Sequence, residues 1–197
     1  MDRDQLNELL YQAYETELGG EKLYRKAIEC AVNDDVREEW EKYLEETITH
    51  QDKVEEILAA AGLDPQVDTA GRQAIRIKAE ALVAAMDTAR TEGGPIAGQL
   101  AAAESIVEAE SKDFANWELI GKMAEHATGD LAKVMKAKYE EVSEEEAEHL
   151  FHTMGWAREL WLDSLGVPAV LPPPEEEKSV KTQIGAARAE QQRDEYL

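Results

Sequence analysis

The chain has 197 residues, 43% of them hydrophobic, and carries 43 Asp and Glu against 21 Lys and Arg for a formal charge of −22. That length suits one domain with a real core, and the charge argues against nucleic acid and anionic membrane as partners while attracting cations. The single cysteine, Cys30, leaves no disulfide framework or thiolate cluster; with no secretory apolar stretch in MDRDQLNELL and no bilayer-length apolar run, the expectation is a cytoplasmic protein.

Helical periodicity dominates. A first helix is predicted from about Asp4 to Val32, with Leu6, Leu10, Ala13, Glu17, Tyr24 and Ile28 on one stripe. Asn33-Asp34-Asp35 stops it and offers a cap for a second, which carries Val36, Trp40, Tyr43, Thr47, His50, Val54, Ile57 and Leu58 to Gly62. After LDPQVDTAG, the residues Ile75, Ala79, Leu82, Val83 and Met86 define a helix over 72–91, ending at Gly93-Gly94. Pro95 suits the first turn of the next helix, which runs through Ala103, Val107, Glu110, Phe114 and Trp117 to Gly129. Asp130 is the expected cap of the last long helix, whose stripe holds Leu131, Val134, Val142, Glu146, His149, Thr153 and Trp156.

The 72–91 helix would span about 30 Å, the length of a bundle. Two hairpins joined by such a connection give an all-α four-helix bundle with a helical crossover between its second and third helices, over residues 1–166. The prolines at 172–174 predict an extended tail over 167–197, polar enough to be disordered or to dock on another surface. A second subunit, in a homodimer, is one candidate for that surface.

Carboxylates on an apolar stripe carry more information than a charged face, because burying one unpaired costs several kcal/mol. Glu17 and Glu110 sit on such stripes, with Asp113 three residues after Glu110. Glu146 and His149 are spaced to reach one metal from the same helix face, and the second helix offers Glu46 and His50. The halves echo each other: Tyr24 follows Glu17 by seven residues and Trp117 follows Glu110 by seven. An internal duplication would arrange these groups about a pseudo-twofold axis, as a two-metal centre requires. Carboxylates with imidazole suit iron or manganese. Glu144, Glu145 and Glu148 read as water-facing acids, as do Glu104 and Glu108; Trp156 and Trp161 read as packing and His152 as a neighbour of the ligands. Tyr24 and Trp117 read as core, with a radical or electron-transfer role as the alternative.

Over residues 6 to 162 the pattern resembles the ferritin-like di-iron carboxylate proteins, on the rubrerythrin and bacterioferritin side of that superfamily. The resemblance is carried by Glu146-Ala147-Glu148-His149 as an ExxH motif, by the lone inward Glu17 and Glu110, and by the crossover. It implies two Fe ions, or Mn or a mixed pair, with Glu17 and Glu110 as terminal or bridging ligands. It also implies Glu146 as a bridge, His149 as a ligand to one metal, and Asp113 as a ligand or a near neighbour. Glu21 is a looser counterpart of Asp113 in the first half. The second helix departs from the pattern: Thr47 occupies the ExxH position, which leaves Glu46 to share the face of His50. The implied activity is reduction of O₂ or hydrogen peroxide with an external electron donor. Oxidation of an organic substrate and metal binding without turnover are the alternatives. Ferritin cages cross from the second to the third helix by an extended loop, so a helix at 72–91 argues against mineral storage.

Overall fold

The computed structural model describes residues 2–197, and among them the regular structure is entirely helical. Helix α1 (Arg3–Cys30) starts at Asp2, whose carboxylate accepts from the backbone N–H groups of Asp4 and Gln5. Of the three acids and amides at 33–35, Asn33 is the cap of α2 (Asp34–Ala61), accepting from Val36 N–H; Gly62 closes that helix at φ 73°, a left-handed conformation that costs glycine little.

Helix α3 (Ala70–His126) is interrupted at Gly94, whose φ of 86° and ψ of −175° are non-helical. The chain doubles back there. A Cβ placed on Gly98 would lie 2.8 Å from Arg90 Cβ, whereas residues eight apart on a straight helix are separated by about 12 Å. Two arms result, 70–93 and 95–126, meeting where the predicted Gly93-Gly94 stop falls.

The direction of each helix follows from its partners. The 70–93 arm is parallel to α1: Thr69 bonds Glu8, Arg72 and Arg76 both bond Glu15, and Asp87 pairs with Lys26. The 95–126 arm is antiparallel to α1, with Gln99 accepting from Val32 and Asn33 N–H at one end and Asn116 donating to Thr16 further along. Helix α4 (Gly129–Ser164) is antiparallel to that arm, through Tyr139 to Glu118 and Trp161 to Glu104. It is antiparallel to α2 as well, through Lys53 with Glu141 and Tyr43 with His152. Thus α2 and the 95–126 arm run the same way, and the 70–93 arm carries the chain back between them along the bundle.

Three local expectations change. Asp130 is not the cap of α4; it lies in the first turn, exposed and paired with Lys133, and Thr128 precedes the helix. Trp161 is not core: it is 41% exposed, its indole N–H on Glu104. The tail is not extended throughout. It forms α5 (Pro174–Glu177), α6 (Gln183–Gln191) and a final 3₁₀ turn, Arg193–Tyr196. Its docking surface is the chain's own α4, where buried Glu159 accepts two bonds from Arg193, one from Arg158 and one from Val170 N–H, and Arg158 grips Glu175 with both terminal nitrogens. Such bidentate charge-assisted bonds are the strong kind, which is why a polar segment holds its place.

The bundle interior divides into two apolar blocks, and a smaller third cluster of Ala147, Leu150, Phe151, Val180 and Ala189 joins α4 to the tail. One block contains Leu23, Tyr24, Trp40, Tyr43, Met86, Ile106 and Trp156; the other contains Leu10, Val54, Ile57, Trp117, Ile120, Met135 and Val142. On α1 the boundary falls at Glu17, on α2 at Thr47 and His50, on the 95–126 arm at Glu110 and Asp113, and on α4 at Glu146 and His149. All of these are buried. Every bundle helix therefore turns from apolar to polar and back at one height, and the result is a polar layer sealed above and below.

Candidate metal centre

Within this layer two groups of ligand-type atoms form, His50 with Glu146 and His149, and Glu17 with Asp113 and Glu146; in each the atoms all lie within 4.8 Å of one another. Glu146 belongs to both. Its Oε1 lies 2.8 Å from His50 Nδ1 and 3.9 Å from His149 Nδ1. Glu110 closes the ring, with Oε2 at 3.6 Å from His149 Nδ1.

The outer atoms of these side chains are held while the inner ones are left over. Trp117 donates its indole N–H to Glu17 Oε1 at 2.8 Å, and Tyr24 donates its hydroxyl to Glu110 Oε1 at 2.7 Å. On the imidazoles, His50 Nε2 meets Glu145 Oε2 at 2.9 Å and His149 Nε2 meets Glu46 Oε2 at 2.8 Å. Among the described residues Glu17 Oε2, His50 Nδ1, Glu110 Oε2, Asp113 Oδ1 and Glu146 Oε2 are buried without a hydrogen-bond partner. Each such atom costs roughly 1–3 kcal/mol in a folded core, and these converge on one place.

The duplication read from the sequence has a spatial counterpart. Tyr24, seven residues after Glu17, serves Glu110; Trp117, seven after Glu110, serves Glu17. His50 of α2 is backed by Glu145 of α4, and His149 of α4 by Glu46 of α2, so each half supports the other's ligand. The halves part at two positions: Asp113 answers to Gly20 and Glu146 to Thr47. Thr47 is buried, and its methyl lies 3.2 Å from where a Cβ on Gly20 would be. One half thus brings two carboxylates where the other brings a methyl and a hydrogen.

Electrostatics mark the same set. Burial, then repulsion by Glu146, pushes Glu17 well above the usual carboxylate range; burial, then repulsion by Glu17 and Glu146, does the same to Asp113. For His50, burial opposes the charge, but the Glu145 carboxylate on Nε2 and the Glu146 carboxylate beside Nδ1 prevail and push it up to about 10. His149 likewise rises to about 10 against burial, through Glu110 and Glu46. The layer holds its negative charge only by retaining protons, as expected when carboxylates crowd without a cation.

Of the residues predicted as ligands, Glu17, His50, Glu110, Asp113, Glu146 and His149 come together. Glu110 is outside both groups but meets His149 on its inner nitrogen, whereas Glu46 stands behind His149, on Nε2. Glu21 faces away, bonded to Arg25 and Gln51. His152 sits in the neighbouring apolar block, its Nδ1 on Tyr43 and Glu39. Glu145 was read as solvated and instead reaches His50; the visible signal was that Glu145 precedes His149 by four residues, as Glu46 precedes His50. Tyr24 and Trp117, read as core, are buried but also bond the inner carboxylates. The donor set of hard oxygens and two imidazole nitrogens suits iron or manganese, and the unpartnered inner atoms are where such ions would fit.

Searches against protein-family models, curated proteins and solved structures found no match to this chain.

Proposed function

We propose that this chain is a ferritin-like di-metal carboxylate protein, with two Fe ions or a Mn-containing pair, that reduces O₂ or hydrogen peroxide. The observation that carries the reading is the convergence of unpartnered buried oxygen and nitrogen atoms from all four bundle helices, in two groups that share Glu146. The course of the chain supports it too, because α2 and the 95–126 arm are parallel and the 70–93 arm between them supplies a helical crossover.

When bound, the metal pair would supply the electrons that O₂ or peroxide takes up. The chain's own residues would do the rest. Glu146 would span both positions; Glu17 and Asp113 would hold one side of it, and His50, His149 and Glu110 the other. Glu46 and Glu145 would fix each imidazole with Nδ1 turned inward, the task of a carboxylate behind a ligating histidine. Trp117 and Tyr24 would keep the outer oxygens of Glu17 and Glu110 occupied, and Tyr24 Oη holds a proton beside the centre. The two apolar blocks exclude water. Cys30 is the only cysteine, so electrons must come from an external donor. The extra carboxylates of the second half, Asp113 and Glu146, make the two positions chemically unequal.

Elemental analysis of protein from iron-supplemented cells tests the binding, with about two metals per chain expected and fewer than about 0.2 contradicting it. Glu110→Ala and Glu146→Ala should abolish stoichiometric binding, while Glu104→Ala, on the exposed face, should not. Rapid mixing of Fe(II)-loaded protein with O₂ and with peroxide tests turnover; silence toward both would leave binding without catalysis.

A further inference from the structure

Between α1 and the two arms of α3 lies an open groove of about 450 Å³, within the size range of small-molecule sites. Its walls are mostly aliphatic, among them Leu23, Ile75 and Leu82. Its charges run against the rest of the molecule. In a chain of net charge −22, Lys78 from one arm and Lys112 from the other reach this groove, and neither forms an ion pair among the described residues. Lys112 Nζ is held by the side-chain oxygen of Asn116, a neutral partner, and Lys78 is exposed. Most other cations of the bundle are spent on carboxylates, as Arg72 and Arg76 are on Glu15 or Lys53 on Glu141. One acid, Glu108, also lines the groove. Two lysines against one carboxylate leave it locally positive.

We propose that this groove binds a small amphipathic organic anion, a carboxylate with an apolar body of medium-chain size. The anionic head lies between Lys78 and Lys112, and the body lies along Leu23, Ile75 and Leu82. The electrostatic logic is specific: a purely apolar trough on so acidic a surface would prefer a cationic amphiphile, and only the local lysines reverse that preference. Thr16 and Lys112, which line the groove, directly precede Glu17 and Asp113 of the polar layer, so the bound molecule lies just outside that layer's wall. The site does not depend on a metal being bound.

The test is calorimetric titration of the full chain with decanoate and with decyltrimethylammonium, both below their aggregation concentrations. Decanoate should bind at one per chain and the cation more weakly. Lys78→Gln, on an exposed position that leaves the core intact, should weaken decanoate by about two- to five-fold, and Glu108→Gln should strengthen it by about two-fold. Equal or tighter binding of the cation, absence of decanoate binding, or indifference to Lys78→Gln would overturn the proposal. Decanoate binding should persist in Glu146→Ala protein, so loss of the metal reading would leave this one standing.

Discussion

At the scale of single residues, the polar layer is a competition between protons and cations. At neutral pH, His50 and His149, pushed up to about 10, carry imidazolium protons, and Glu17 and Asp113 are raised by burial first and by their neighbours second. Metal ligands must give up such protons, so loading two divalent ions should release about two protons per chain from the imidazolium rings alone, with affinity rising as pH rises. The sign for the metal-free protein is opposite. Groups whose folded pKa is raised contribute stability that is complete below their unfolded values and lost as pH climbs through the folded ones. The metal-free chain should therefore lose melting temperature toward pH 10, and added Mn(II) should restore it. Titration in weakly buffered solution, with melting curves at pH 6 and 9, checks both. The inward course of Glu17, Glu110, Glu146 and His149 was legible because each breaks an apolar stripe of helical period. The spacing of Glu145 to His149 matches that of Glu46 to His50, but that Glu145 backs His50 rather than its own helix's histidine depends on the packing of two helices 95 residues apart in sequence.

At the scale of elements, Gly94 and the tail decide how the bundle closes. The reversal between the arms of α3 rests on a backbone conformation essentially restricted to glycine, so Gly94→Ala should cost about 1–3 kcal/mol, read as a lowered melting temperature in a chain that still folds. The Gly-Gly-Pro sequence announced a break there. It did not announce the fold-back, which depends on Gly98 allowing Arg90 to approach. The tail was least legible, because Glu159, Arg158 and Arg193 are ordinary charges in sequence and become a network only once α4 is in place. Within it, burial first and Glu39 second push Glu176 up to about 7; it faces Trp156 of α4 and Glu39 and Lys42 of α2, with Glu177 beside it. A raised carboxyl pKa means a stabilising contribution that is lost as pH rises through about 7. Glu176→Gln should thus raise the melting temperature at pH 8.5 and change it little at pH 5. Equal effects at both values would place the cause elsewhere.

At the scale of the whole molecule, two apolar blocks enclose a layer whose atoms are satisfied on the outside and unsatisfied within. No helix of the described residues is long and apolar enough to cross a membrane, and the acidity, with 43 Asp and Glu in all, is divided between exposed faces and this interior layer. An arrangement that served stability alone would replace the inner carboxylates with apolar side chains, which is often neutral or favourable. Inner carboxylates on three helices, with His50 from the fourth at the same height, are what the metal reading explains. Iron-loaded crystals measured at the iron absorption edge test it most directly. The account predicts two anomalous peaks about 3.5–4 Å apart, enclosed by Glu17, His50, Glu110, Asp113, Glu146 and His149. Stoichiometric iron in the crystal with no peak inside that ring would contradict it.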